Sequence, residues 1–142
     1  MLHLTATDAD DLSVISAQMQ DAVIRFGDIR FLKKQRRFAL VANRFAWDAL
    51  PEKSRRRAGL VFNDISGVRR LSPKAPGEDT ILSLLSIGFT PEAGGDGISG
   101  TVTLTFAGGH AFALAAGCVD AQLDDLGPAW GTAFLPGHED KT

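Results

Sequence analysis

Tyrosine is absent from this chain, and cysteine occurs once, at Cys118. The first absence removes every phenol-based acid or nucleophile role. The second excludes an intramolecular disulfide and any multi-thiolate metal centre. A solitary thiol suits a reducing compartment. No apolar run approaches the ~18 residues of a membrane-spanning helix. The opening residues, Met1 to Asp8, carry neither a basic stretch nor an apolar one, so no secretory leader is expected. The cytoplasm is the default location, without membrane insertion. Neither a G-x-S-x-G elbow nor a phosphate-binding P-loop occurs.

What is present fits a single globular domain over residues 1–142, with a frayed tail from about residue 135. A hydrophobic content of 44% and a charged content of 23% are those of a folded protein rather than a disordered one. Two loops interrupt the pattern, residues 72–79 (SPKAPGED) and 91–100 (PEAGGDGISG), each carrying Pro, Gly and acids.

Residues 2–6 read as a short strand. Asp8 then reads as an N-cap, with Asp10 and Asp11 near the positive end of a helix. Leu12, Ile15, Met19 and Ala22 recur at helical spacing and predict an amphipathic helix over residues 9–22. From Val23 the period shortens. Ile29 and Phe31 alternate with polar residues, and Lys33-Lys34-Gln35-Arg36 reads as a hairpin turn. Phe38, Leu40 and Ala42 return on one strand face, with Val41, Asn43 and Phe45 on the other.

Further strands are expected over residues 58–62, on through Ile65, Val68 and Leu71, and over residues 80–89. Val102, Leu104 and Phe106 alternate up to Gly108-Gly109, a two-residue hairpin signal answered by Phe112 and Leu114. Val119, Leu123 and Leu126 suggest a short C-terminal helix stopped by Gly127-Pro128. The expected fold is α+β: a mostly antiparallel sheet of about seven strands curled into a roll or small barrel, with one N-terminal amphipathic helix and one short C-terminal helix. A pleckstrin-homology-like roll is one candidate on element order alone.

Several chemistries are rejected. Gly95-Asp96-Gly97-Ile98-Ser99-Gly100 matches G-x-G-x-x-G, but a dinucleotide site needs a strand before it and a helix after it. Here a strand follows, so a hairpin loop is expected. His3, His110 and His138 lack partners at metal-ligand spacing. Cys118 has no neighbouring cation in sequence to activate it. Asp120, Asp124 and Asp125 read as a solvated helix face. No cofactor or metal is expected, and an enzyme site, if there is one, is assembled only in the fold.

Charge placement is the distinctive feature. Fourteen of the 15 Lys and Arg residues lie between Arg25 and Lys74, against four acids, a local net charge of +10. The remainder carries 13 acids against Lys141, or −12, which together restore the overall −2. Arg outnumbers Lys in the basic window, and its fork suits carboxylate and phosphate. Trp47 lies among these residues, where its ring can stack on a base or a guanidinium. The candidate binding residues are Arg36, Arg37, Asn43, Arg44, Trp47, Arg55, Arg56 and Arg57. Their expected partner is an acidic protein surface or a second copy of the chain, with RNA or another polyanion as the alternative. Basic turns and edges also arise simply for solubility and against edge pairing, and the acidic flanks can neutralise the basic strands within the fold.

Segments spread over most of the chain resemble an uncharacterised bacterial family, a domain of unknown function of about 140 residues. They are Asp8-Ala9-Asp10-Asp11-Leu12 with Ile15-Ser16-Ala17 and Gln20-Asp21-Ala22; Arg37-Phe38-Ala39-Leu40 with Asn43-Arg44-Phe45-Ala46-Trp47; Arg55-Arg56-Arg57; Leu104-Thr105-Phe106-Ala107-Gly108-Gly109; and Leu126-Gly127-Pro128-Ala129-Trp130. The resemblance implies no activity and brings no catalytic residue with it.

Overall fold

The computed structural model describes residues 1–46, 55–72 and 74–126. The chain opens with β1 (His3–Ala6) and α1 (Ala9–Met19). Asp8 caps α1, its carboxylate accepting from the Asp11 N–H at 2.8 Å, while Leu12, Ile15 and Met19 turn into the core. The helix stops three residues short of the expected Ala22, because Asp21 takes a left-handed conformation (φ 66°). The strands that follow are β2 (Val23–Arg25), β3 (Ile29–Leu32) and β4 (Arg37–Phe45). A 3-10 turn over Lys33–Gln35, closed by Arg36 at φ 54°, makes the expected corner between β3 and β4. Next come β5 (Arg55–Phe62), β6 (Ile65–Arg70) and β7 (Ile81–Pro91). The described chain ends with β8 (Gly100–Phe106), β9 (Ala111–Ala116) and β10 (Ala121–Asp125).

All the ladders are antiparallel, in the order β1-β10-β5-β4-β2-β7-β8-β9-β6, with β3 also paired to β4. Alternation sets the faces. Phe38, Leu40 and Ala42 on β4, Ala58, Leu60 and Phe62 on β5, and Leu104, Phe106, Phe112 and Leu114 on β8 and β9 point into a core capped by α1. The rings of Phe38 on β4 and Phe112 on β9, four strands apart in the sheet, lie 6.5 Å from each other, so the sheet bends back over its own inner face. Ala39 and Val41, on the opposite face of β4, form a small second cluster with Val61 and Leu126.

Three expectations need correction. The described strands number ten rather than seven. The sheet curls but does not close into a barrel, since its order ends on β1 and β6. Residues 121–125 are a strand, not part of a C-terminal helix, because they fill the place between β1 and β5. With that helix goes the element order that suggested a pleckstrin-homology-like roll. The Gly127-Pro128 stop and the tail from about residue 135 lie outside the described residues.

Candidate functional site

The candidate residues do not converge on one patch. Strand β4 has nine residues, so its two ends are separated by roughly 27 Å at the usual rise of an extended chain. Arg36 and Arg37 lie at one end, at the corner after β3. Arg36 Nη2 reaches Asp64 Oδ1 at 2.7 Å, and Arg37 Nε donates to Asn63 Oδ1 at 3.1 Å. Asn43, Arg55, Arg56 and Arg57 lie at the other end, because β4 and β5 pair in the register Asn43↔Arg57, Arg44↔Arg56 and Phe45↔Arg55. Trp47 is outside the described residues.

Alternation divides this second group again. Asn43, Arg55 and Arg57 face outward, while Arg44 and Arg56 follow the parity of Ala42 and Ala58. Arg56 is exposed at the strand end, but Arg44 is wholly buried. Arg44 grips Asp125 with both arms of its fork, Nε to Oδ1 and Nη2 to Oδ2, each at 2.8 Å. Its Nη1 donates to the Phe45 carbonyl at 3.3 Å, and Asp125 also accepts from the Leu2 N–H at 2.8 Å. A buried bidentate pair of this kind ties β4, β10 and the start of the chain together. Arg44 is therefore structural, which corrects its place among the binding residues. Asp125 is likewise no part of a solvated helix face.

Asn43 and Arg57, but not Arg55, border a hollow of about 110 Å³. Val23, Val41 and Ile81 give it apolar walls, and Arg25, Asp28, Asn43 and Arg57 give it polar ones. Arg25 is held by Asp28 at 3.1 Å and by Asp79 at 3.0 Å. Those contacts, Asp28 first, raise the guanidinium's pKa further above its ordinary value. Arg55 Nη1 leans on the Asp21 and Asn43 carbonyls at 3.4 Å each. The guanidinium groups of Arg56 and Arg57 make no ion pair among the described residues. Sequence reading missed Arg25 and Ile81 as walls of this hollow, since the β2–β4 ladder sets β2 beside Asn43 and the β2–β7 ladder adds Ile81 opposite Arg25.

A family model described as "Protein of unknown function (DUF2948)" matches residues 2–138. The chain belongs to this family. The expected resemblance to a domain of unknown function is thereby borne out. No curated protein and no solved structure matches the chain significantly.

Several other polar groups of this DUF2948 domain that the sequence singles out are held in local contacts. The Cys118 thiol lies 3.6 Å from Asp64 Oδ2, and burial, followed by that carboxylate, pushes its pKa up. The hydrogen bond from Arg36 and then that from Cys118 hold Asp64 below the usual carboxylate range. His3 pairs with Asp124, and His110 lies 3.3 Å from the Ser72 hydroxyl. The G-x-G-x-x-G segment links β7 to β8, as expected of a hairpin loop, and Asp96 accepts there from the Ile98 and Ser99 N–H groups. Among the described residues, no cluster of three or more His, Cys, Asp or Glu side chains is arranged to hold a metal. No described helix is long and apolar enough to cross a membrane.

Proposed function

We propose that the domain is a non-enzymatic binding module that takes an acidic protein partner on the Arg55–Arg57 end of the β4–β5 pair. The observation that carries this reading is the state of Arg57. Its charge stands beside Asn43 at the rim of a hollow with mixed apolar and polar walls and makes no ion pair among the described residues, while Asp28, the carboxylate that shares the hollow, is held by Arg25. Arg25, Arg36 and Arg44 are each spent on an acid. An unspent guanidinium next to an amide and apolar walls is the usual makeup of an interface anchor.

The neighbouring charges favour a discrete carboxylate over a long polyanion. Asp28 and Asp79 sit at Arg25, and Asp124 is on the same outward face one strand beyond β5. A phosphate chain laid across this face would meet those acids.

The test is charge reversal of Arg55, Arg56 and Arg57 together, with capture read at two salt concentrations against polyglutamate, homopolymeric RNA and cell lysate. The expected result is roughly a hundredfold loss of polyglutamate binding, about 2.7 kcal/mol, with the thermal midpoint unchanged. Unchanged binding of all three probes by the triple variant would refute the reading. RNA held more tightly than polyglutamate, with a steep salt slope, would replace the protein partner by nucleic acid. Sedimentation at high concentration decides whether the acidic partner is another copy.

A further inference from the structure

Another hollow, of about 600 Å³, lies on the outer face of the sheet where β7, β8, β9 and β6 run side by side. Register builds its floor. Thr90 on β7 stands opposite Thr101 on β8, Thr101 stands opposite Ala115 on β9, and the bulge at the start of β6 adds Ser66. Phe89 and Val102 pack into the core, so both threonines face outward by alternation. Their hydroxyls line the hollow and make no hydrogen bond among the described residues.

The two sides of the hollow carry opposite charges. Arg36 stands on the β6 side, where its carbonyl accepts from the Ile65 N–H, and Glu92 directly follows β7 on the other side. Asp64 takes one arm of the Arg36 fork at 2.7 Å, which steadies the guanidinium and leaves its Nε and Nη1 donors over. Glu92 Oε2 accepts from the Ser99 hydroxyl at 3.1 Å, which leaves Oε1 over. Three strand spacings, roughly 14 Å, separate β7 from β6, so a ligand of two or three residues at ~3.5 Å each spans the floor once both side chains lean across it.

We infer that this hollow binds a short peptide by its two free ends, the carboxylate on Arg36 and the ammonium on Glu92, with the peptide groups on the Thr90 and Thr101 hydroxyls. Other ligand classes leave a group unmatched. A phosphate or a lone carboxylate would bring negative charge to a hollow whose excess charge is that of Glu92, since Asp64 balances Arg36. An apolar ligand would cover the threonine hydroxyls without pairing them. A sugar would find no ring to stack on, because none of the residues that border the hollow is aromatic. The described chain breaks off at residues 46, 55, 73 and 126, past the ends of β4, β5, β6 and β10 that lie away from the hollow. The Arg55–Arg57 end of β4 is also the distant one, so this inference is independent of the function proposed above.

The probes are dialanine, its N-acetylated form, its C-amidated form and the doubly blocked form, titrated into the intact chain by calorimetry and amide shift mapping. Dialanine should saturate at roughly millimolar concentration, as suits a ligand of about eleven heavy atoms, with shifts centred on Thr90, Thr101, Ala115 and Gly117. Blocking either end should weaken binding roughly tenfold. Arg36→Gln should weaken dialanine by about the same factor and leave the amidated form unchanged, while Glu92→Gln should weaken dialanine and leave the acetylated form unchanged. Glu92 is exposed, so its variant keeps the test decisive if Arg36→Gln fails to fold. Reversing Arg55, Arg56 and Arg57 should change nothing. Absence of saturable dialanine binding overturns the inference. So does equal binding of the doubly blocked form, a shift pattern centred away from the floor, or a loss in Glu92→Gln that is the same for free and acetylated peptide.

Discussion

Replacing Asp125 by Asn should cost this domain a large part of its stability. The side chains of Arg44 and Asp125 are 0% and 2% exposed, so neither charge has water to fall back on. The carboxylate accepts from Arg44 Nε on one oxygen, and from Arg44 Nη2 and the Leu2 N–H on the other. An amide has the same shape but only one acceptor. Whichever way it is turned, an NH2 group faces a donor, and the buried guanidinium loses the Asp125 carboxylate. Breaking one side of a buried pair costs about 3–5 kcal/mol, against a total of roughly 5–15 kcal/mol for an ordinary domain. For a chain of this size the thermal midpoint should fall by roughly 10–15 °C. Circular dichroism with urea and heat measures both quantities. Replacing the pair by apolar groups, Arg44→Met with Asp125→Leu, should recover more than half the loss, because both charges of the pair are then removed together. If Asp125→Asn lies within about 1 kcal/mol of the parent, or the double-mutant cycle shows coupling below about 0.5 kcal/mol, the pair does not hold the strands together as argued.

Phe106→Ala should destabilise by about 3–5 kcal/mol, since the ring is 2% exposed and meets Phe112 edge-on at 5.7 Å. A shift within error in urea titration would contradict its place in the core. Gly100→Ala should cost about 1–3 kcal/mol, because its new methyl group would run into the Thr90 carbonyl oxygen and the Phe89 ring. Parent-like stability in that variant would show that β7 and β8 can separate freely. Cys118 should alkylate more slowly than a free thiol, with a rate midpoint displaced to higher pH. The fold favours its protonated form, so the stability that form contributes is present below the ordinary thiol range and is lost as pH rises through the raised value. Asp64→Asn should move the iodoacetamide midpoint downward, and identical profiles for parent and variant would remove Asp64 as a cause.

Local chemistry was legible where a residue's own backbone preference decides the structure. Gly108 and Gly109 both sit at positive φ (84° and 83°) and turn β8 back into β9 as expected, although the Thr105↔Ala111 register and the Phe106 N–H to His110 carbonyl bond make the connection three residues long, 107–109, rather than two. Asp8 announced the start of α1 for the same reason. Strand β10 was not legible. Its inward residues are Ala121, Leu123 and Asp125, and a carboxylate in the third inward place breaks the apolar alternation that marks a half-buried strand. The compensating charge is Arg44, 81 positions earlier, and spacing along the chain gives no hint of that pairing. The candidate site shared this weakness. A run of cations in sequence says nothing about which end of β4 each occupies or which face it takes, and the β4–β5 register dispersed the group accordingly.

The β1–β10–β5 arrangement dictates when this fold can form. The strand at residues 121–125 is wedged between residues 3–6 and residues 58–62. During synthesis the first four-residue strand therefore waits, without its ladder partner, until more than a hundred further residues have emerged. Contacts so distant along the chain are assembled late and slowly, because a long loop must be closed before they return any stabilisation. Until residues 121–125 arrive, this side of the sheet stays unfinished.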